Sequence, residues 1–193
     1  MVVENQNGAE EFMGEGQNLD LKFTPSTFNW NNWVTRKSTT FVWRAIDEKV
    51  PSAVALRGRG MNLPDVTCKT CGAADEIAGH ILLGCSFAKR VWEAITTWLK
   101  IPMVSTEWNI AELLMEMSEI QRSRNERKAI HAVAIQTMWI LWKTRNERVF
   151  KGRQGVVQTV VEDIKDASFQ GLKQRSKYCT ISRREWWNFN VNL

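Results

Sequence analysis

TCKTCGAADEIAGHILLGCS, residues 67–86, is the stretch whose reading decides what this chain builds. Cys68 and Cys71 are separated by two residues, and His80 and Cys85 follow after eight and four more. Three thiols and an imidazole at this spacing are the ligand types and ligand number of a tetrahedral structural zinc site. Zinc binds thiolate sulfur and neutral imidazole nitrogen. Four protein ligands leave no position for water or substrate, so the pattern speaks for holding a fold together and against metal-assisted hydrolysis. Gly72, directly after the second Cys, suits the tight turn of such a knuckle, because glycine reaches positive φ without penalty. The alternative reading is three small buried side chains, since free Cys packs well in cores.

Working outward, only Cys179 of the four Cys lies outside this stretch, which is the usage of a reducing compartment and not of a disulfide scaffold. A chain of 193 residues with 44% apolar content suffices for one ordinary domain or two small ones. Ten Trp against a single Tyr call for a substantial aromatic core or for exposed docking sites, and core is the expectation for most of them. Residues 1–24 read as a flexible acidic leader: Glu4, Glu10, Glu11, Glu15 and Asp20 precede the first cation. The leader shows no basic region followed by an apolar run, so no signal peptide is expected. Ala129–Trp142 is too short and too interrupted, by His131, Gln136 and Thr137, to span a bilayer.

The rest reads as helices. Thr39 or Thr40 is the expected cap of a helix carrying Phe41, Trp43, Arg44 and Ile46, and Trp30 and Trp33 ahead of it share a face if that segment is helical. Pro51 ends the first helix and Ser52 caps a short one, Ala53–Arg57, which the Gly58-Arg59-Gly60 run stops. Asp75 and Glu76 are read either as acceptors that orient His80 or as exposed acids at a helix start. Phe87, Val91, Ile95 and Trp98 form one apolar helical face, with Ser86 as its cap. Beyond Pro102, Trp108–Met117, Ala129–Phe150 and Gln158–Leu172 are helical, the second nearly apolar all round and therefore buried.

The order of these elements resembles a known family, the zinc-binding domain at the C-terminal end of plant LINE-type retroelement reverse transcriptases. The likeness rests on Trp30-x-x-Trp33, Lys37, Phe41-Val42-Trp43-Arg44, Pro51-Ser52, Leu56-x-x-Arg59-Gly60, the four ligands, Glu76, and Phe87-Ala88-x-x-Val91-Trp92. Ser52, where the family usually has Thr, keeps the cap. Trp139-Ile-Leu-Trp142-Lys-Thr-Arg145-Asn146 through Phe150 is similar, more weakly, to a segment downstream of that module in such polyproteins. The resemblance implies a zinc-stapled accessory module acting beside a polymerase; the chain is expected to be intracellular, in the nucleus or the cytoplasm, and the resemblance favours the nucleus.

Catalytic constellations are missing from the sequence. There is no paired-Asp strand of a polymerase palm and no glycine-rich phosphate loop, and Glu162, Asp163 and Asp166 share one helix without a sheet. His131 reads as a packed histidine, and Cys179 as a lone thiol. Charge points elsewhere: residues 121–193 hold fifteen Lys and Arg against six acids, with Arg122, Arg124, Arg127 and Lys128 close together. A basic surface of this kind favours polyanionic partners, although cations at a helix C-terminus are also favoured by the helix dipole alone.

The expected fold is therefore mainly α, with the leader followed by a small zinc-stapled helical domain (residues 25–102) and a basic helical extension (residues 103–193). Cys68, Cys71, His80 and Cys85 are the expected ligands of a structural Zn2+. Arg44, Lys69, Lys89, Arg90, Lys143, Arg145 and Arg148 are the expected phosphate contacts to RNA or DNA, with no small-molecule substrate and no membrane. A protein-interaction module that binds no nucleic acid is the alternative, and oligomeric state stays open.

Overall fold

Side-chain caps fix where the helices begin. The computed structural model describes residues 28–103, 109–177 and 180–191. In them lie α1 (Arg36–Ile46), α2 (Ala53–Gly58), α3 (Ser86–Leu99), α4 (Ile110–Glu119), α5 (Arg124–Lys151), α6 (Val157–Arg175) and α7 (Arg183–Trp187). No strand occurs among the described residues, so the mainly α class read from the sequence holds. The expected leader, Trp108 and Cys179 lie outside the described residues. Ser52 caps α2 as expected, its hydroxyl accepting from the Ala55 N–H. Asn109, Ser123 and Ser182 each open a helix through a reciprocal capping box, with Glu112, Glu126 and Glu185 as partners.

Two helix starts differ from expectation. Thr35, not Thr39 or Thr40, caps α1, because both Ser38 and Thr39 are drawn inside. The Ser38 hydroxyl donates to Gln136 Oε1 at 3.2 Å, and Thr39 Oγ1 donates to the Thr35 carbonyl at 3.1 Å. Cys85, not Ser86, is the N-cap of α3. The segment before α1 is a turn and not a helix, so Trp30 and Trp33 do not share a face: Trp33 is buried, whereas Trp30 is 55% exposed.

Nothing between Ser123 and Gly152 interrupts α5, whose 28 residues span about 42 Å. From Ala129 to Leu141 every side chain but Trp139 is buried, as an apolar-all-round helix requires. α1, α4 and α6 pack around it, α3 lies against both α5 and α6, and α7 closes on α6. An aromatic cluster ties the end of the chain to α3. Trp98 meets Trp186 edge-on at 5.5 Å and Phe189 at 5.3 Å, and its indole N–H donates to the Trp187 carbonyl at 3.0 Å. Buried side chains on the two sides of residue 102 belong to one cluster running from Phe28 to Val191, so the expected segments 25–102 and 103–193 share a core. No helix among the described residues is long and apolar enough to cross a membrane.

Candidate metal centre

The first two ligands sit on a tight backbone knuckle. The Cys68 N–H donates to the Ala74 carbonyl at 2.8 Å, and the Gly72 N–H returns to the Cys68 carbonyl at 2.8 Å. Gly72 has φ +69°, which is why glycine stands there. A bridge between Thr67 and Asp75 closes the loop at its base. The other two ligands depend on a local widening of the helix. In an α-helix, residues five apart point about 140° away from one another. His80–Gly84 is instead one π-helical turn, closed by the Cys85 N–H donating to the His80 carbonyl at 2.7 Å, and it brings His80 and Cys85 to the same side. Trp92 on α3 holds this turn from beneath, its indole N–H donating to the Leu82 carbonyl at 2.8 Å.

All four ligand atoms lie within 4.8 Å of one another, and Cys71 Sγ is 3.2 Å from His80 Nε2. A tetrahedral zinc with Zn–S bonds near 2.3 Å needs sulfurs about 3.8 Å apart, so the spacing and the donor types fit that ion. Cys68 and Cys85 are buried, and Cys71 and His80 half-buried. The two buried thiols hydrogen-bond to each other, which pushes Cys68 down toward thiolate and Cys85 up toward thiol. Backbone N–H groups of Thr70 and Cys71 favour the Cys68 anion. Those of Phe87 and Ala88, at the start of α3, favour the Cys85 anion. Neither of the latter meets the geometry of a capping hydrogen bond. A metal cation held by Cys68, Cys71, His80 and Cys85 would replace the shared proton, with both sulfurs bound as thiolates. Four protein donors would close the shell of a tetrahedral ion, which is the make-up of a structural site.

Glu76 does not orient His80 and is not an exposed helix-start acid. Its carboxylate is 1% exposed and grips Arg145 of α5, which is 7% exposed. Arg145 Nε donates to Oε2 at 3.1 Å, Nη2 donates to Oε1, and the Ala53 N–H at the start of α2 donates to Oε1 at 3.1 Å. Arg145 also lies over the Trp142 ring at 5.0 Å and donates through Nη1 to Asn146 at 2.9 Å. A fork-to-fork pair of this kind is the strong form of a charge-assisted hydrogen bond. It fastens the knuckle to α5. Glu48 accepts from the Ala78 N–H at 3.1 Å, at the helical start that leads into His80.

The expected phosphate contacts fall into three groups. Arg44, Lys89, Arg90 and Lys143 are exposed, and no carboxylate pairs with them among the described residues. Lys69 is exposed but paired with Asp65, and Arg148 reaches back through Nε to the Lys69 carbonyl at 3.4 Å. Arg145 is corrected: buried and committed to Glu76 and Asn146, it is not open to a phosphate. His131 is a packed histidine, as expected, with Nδ1 3.3 Å from the Asn31 amide nitrogen.

The family model described as zinc-binding in reverse transcriptase matches residues 13–92. Comparison with curated proteins gave no match, and neither did comparison with solved structures. The matched segment contains all four ligands, Glu76 and the first half of α3. Across residues 13–92 the chain is thus similar to the zinc-binding domain of reverse transcriptases, and Cys68, Cys71, His80 and Cys85 form a possible zinc site within that segment.

Proposed function

We propose that the chain is a non-catalytic module of a plant LINE-type retroelement reverse transcriptase, acting in the nucleus, and that it helps hold the RNA or DNA on which the polymerase works. The zinc shell is closed and so supports a structural role for the metal. The observation that carries the reading is charge: Arg44, Lys89, Arg90 and Lys143 are exposed cations with no carboxylate partner among the described residues. The helical part after residue 102 belongs to the same module, because it shares its core. Anisotropy titration of labelled RNA and DNA strands tests this. Affinity should fall linearly on a log–log salt plot, with a slope of about −0.7 per phosphate contacted on a single strand. Absence of binding at roughly 50 mM salt sinks the proposal.

A second reading, docking to a protein partner without nucleic acid, is favoured by Phe150 and Val156, which are 76% and 61% exposed around the turn from α5 to α6. It predicts a specific protein complex that Phe150→Ser weakens and that added salt leaves largely intact.

A further inference from the structure

A second site of interest, a broad cleft, lies away from the zinc knuckle. It has a volume of about 680 Å3 and lies among the turn before α1, the C-terminal end of α4, the first two turns of α5, and the end of α6. That is within the size range of ligand sites, about 300–1,000 Å3. Arg124, Arg127, Lys128, Arg175 and Lys177 line it, and no Asp or Glu among the described residues does. Along α5 its wall at Lys128 is about 25 Å from Arg145 beside the knuckle. Two cations of this wall stand close to each other: Lys128 is shifted down by its burial and, secondarily, by Arg124. Among the described residues no carboxylate pairs with Arg124, Arg127, Lys128 or Arg175. Such a gathering is repulsive until an anion enters.

Aromatic and amide groups share the cleft. Trp30 lies in its rim, 55% exposed, yet it is held in place by Phe28, edge-on at 5.0 Å, and by Trp43 at 6.4 Å. Its neighbour Trp33 is the one that enters the core, under the Lys128 ammonium at 4.9 Å. Asn29 and Asn32, both exposed, add donors and acceptors of the type that read base edges. Cations that follow a backbone, beside a fixed aromatic face, are the two elements of a single-strand site. An acidic peptide would use the cations but gives no use to an ordered indole face.

We infer that this cleft is a binding site for single-stranded nucleic acid, with Arg124, Arg127 and Arg175 on the phosphates and Trp30 stacked on a base. The inference rests on the function proposed above and moves the principal contact from the zinc end to the opposite end of α5. The test uses the full zinc-loaded chain, a fluorescein-labelled oligouridylate of about 15 nucleotides, the corresponding duplex, and an oligoglutamate peptide. Replacing all three arginines (R124Q/R127Q/R175Q) should weaken oligouridylate binding at least tenfold and lower the salt slope by about 2. Trp30→Ala should weaken it about tenfold with the slope unchanged, and it carries the test alone should the triple variant fail to fold. The zinc-end variant K89Q/R90Q should lose less than either, and the duplex should bind less tightly than the single strand. Full binding by both cleft variants, with loss in K89Q/R90Q, overturns the inference and leaves the proposed function standing. Equal affinity for duplex or oligoglutamate also overturns it. No binding by the unaltered chain overturns both.

Discussion

Removing the charge from Glu76 should cost far more than its distance from the ligands suggests. In Glu76→Gln the Arg145 guanidinium stays 7% exposed, and only two neutral amide oxygens, that of Asn146 and that of the introduced glutamine, and the Trp142 face surround it. Breaking a buried pair by removing one partner costs about 3–5 kcal/mol. Glutamine keeps an acceptor for the Ala53 N–H, which places this variant near the lower figure. Arg145→Met strands the carboxylate instead, buried at 1% exposure, with a similar cost. The double variant, with a neutral amide and an apolar side chain, should return to within about 1–2 kcal/mol of the original. Urea unfolding of the zinc-saturated chain, followed by tryptophan fluorescence, measures all four corners of the cycle. Each single change should lower the midpoint by roughly 1 M or more, and the coupling should reach about 4 kcal/mol or more. Single losses below about 1 kcal/mol, or a coupling near zero, would refute the claim that this pair fastens the knuckle to α5.

Cys71→Ser should abolish stoichiometric zinc and destabilise α3 along with the knuckle, as release of metal to a chromogenic chelator and circular dichroism would show; full stability without metal contradicts the structural role. His131 is held down at about 4 by burial, against 6.5 when free, so the unfolded chain binds the extra proton between those values and stability falls as pH falls through them. The zinc-saturated chain should lose about 2 kcal/mol on this account between pH 7 and pH 5, and His131→Gln should flatten that slope; identical slopes would exclude His131 as the source. Gly171→Ala lies inside α6, where alanine ordinarily gains about 1 kcal/mol, yet its Cβ would run into the Trp33 backbone carbonyl. A lowered melting temperature is expected, and a raised one would show that α6 stands off from the turn before α1.

What was legible in the sequence was whatever depends on local chemistry. Ligand identity follows from donor type and spacing, the Ser52 cap from a hydroxyl behind Pro51, and the burial of α5 from an apolar run too broad for one face. Pairings across the chain were not legible. Glu76 finds Arg145 sixty-nine residues away, and beside His80 in the text it reads as a histidine partner. Thr39 and Thr35 are equally good caps by type, and only the reach of Ser38 to Gln136 decides between them. The π-helical turn escaped because its cause lies in the metal site, which needs His80 and Cys85 on one side, and not in propensity. The basic run Arg122–Lys128 was visible, but the cleft exists only where residues 29–33 and 175–177 meet it.

The place where the family likeness stops has a consequence for inheritance. It ends at residue 92, halfway along α3, and leaves out Ile95, Trp98 and Arg145. A gene segment copied only that far would encode every metal ligand and almost none of the wall they lean on: Glu76 would lose its counter-ion, and the rear of α3 its aromatic cover. The ligands and the surfaces that bury them thus lie on different stretches of the chain, and the long helix α5 is what joins the two.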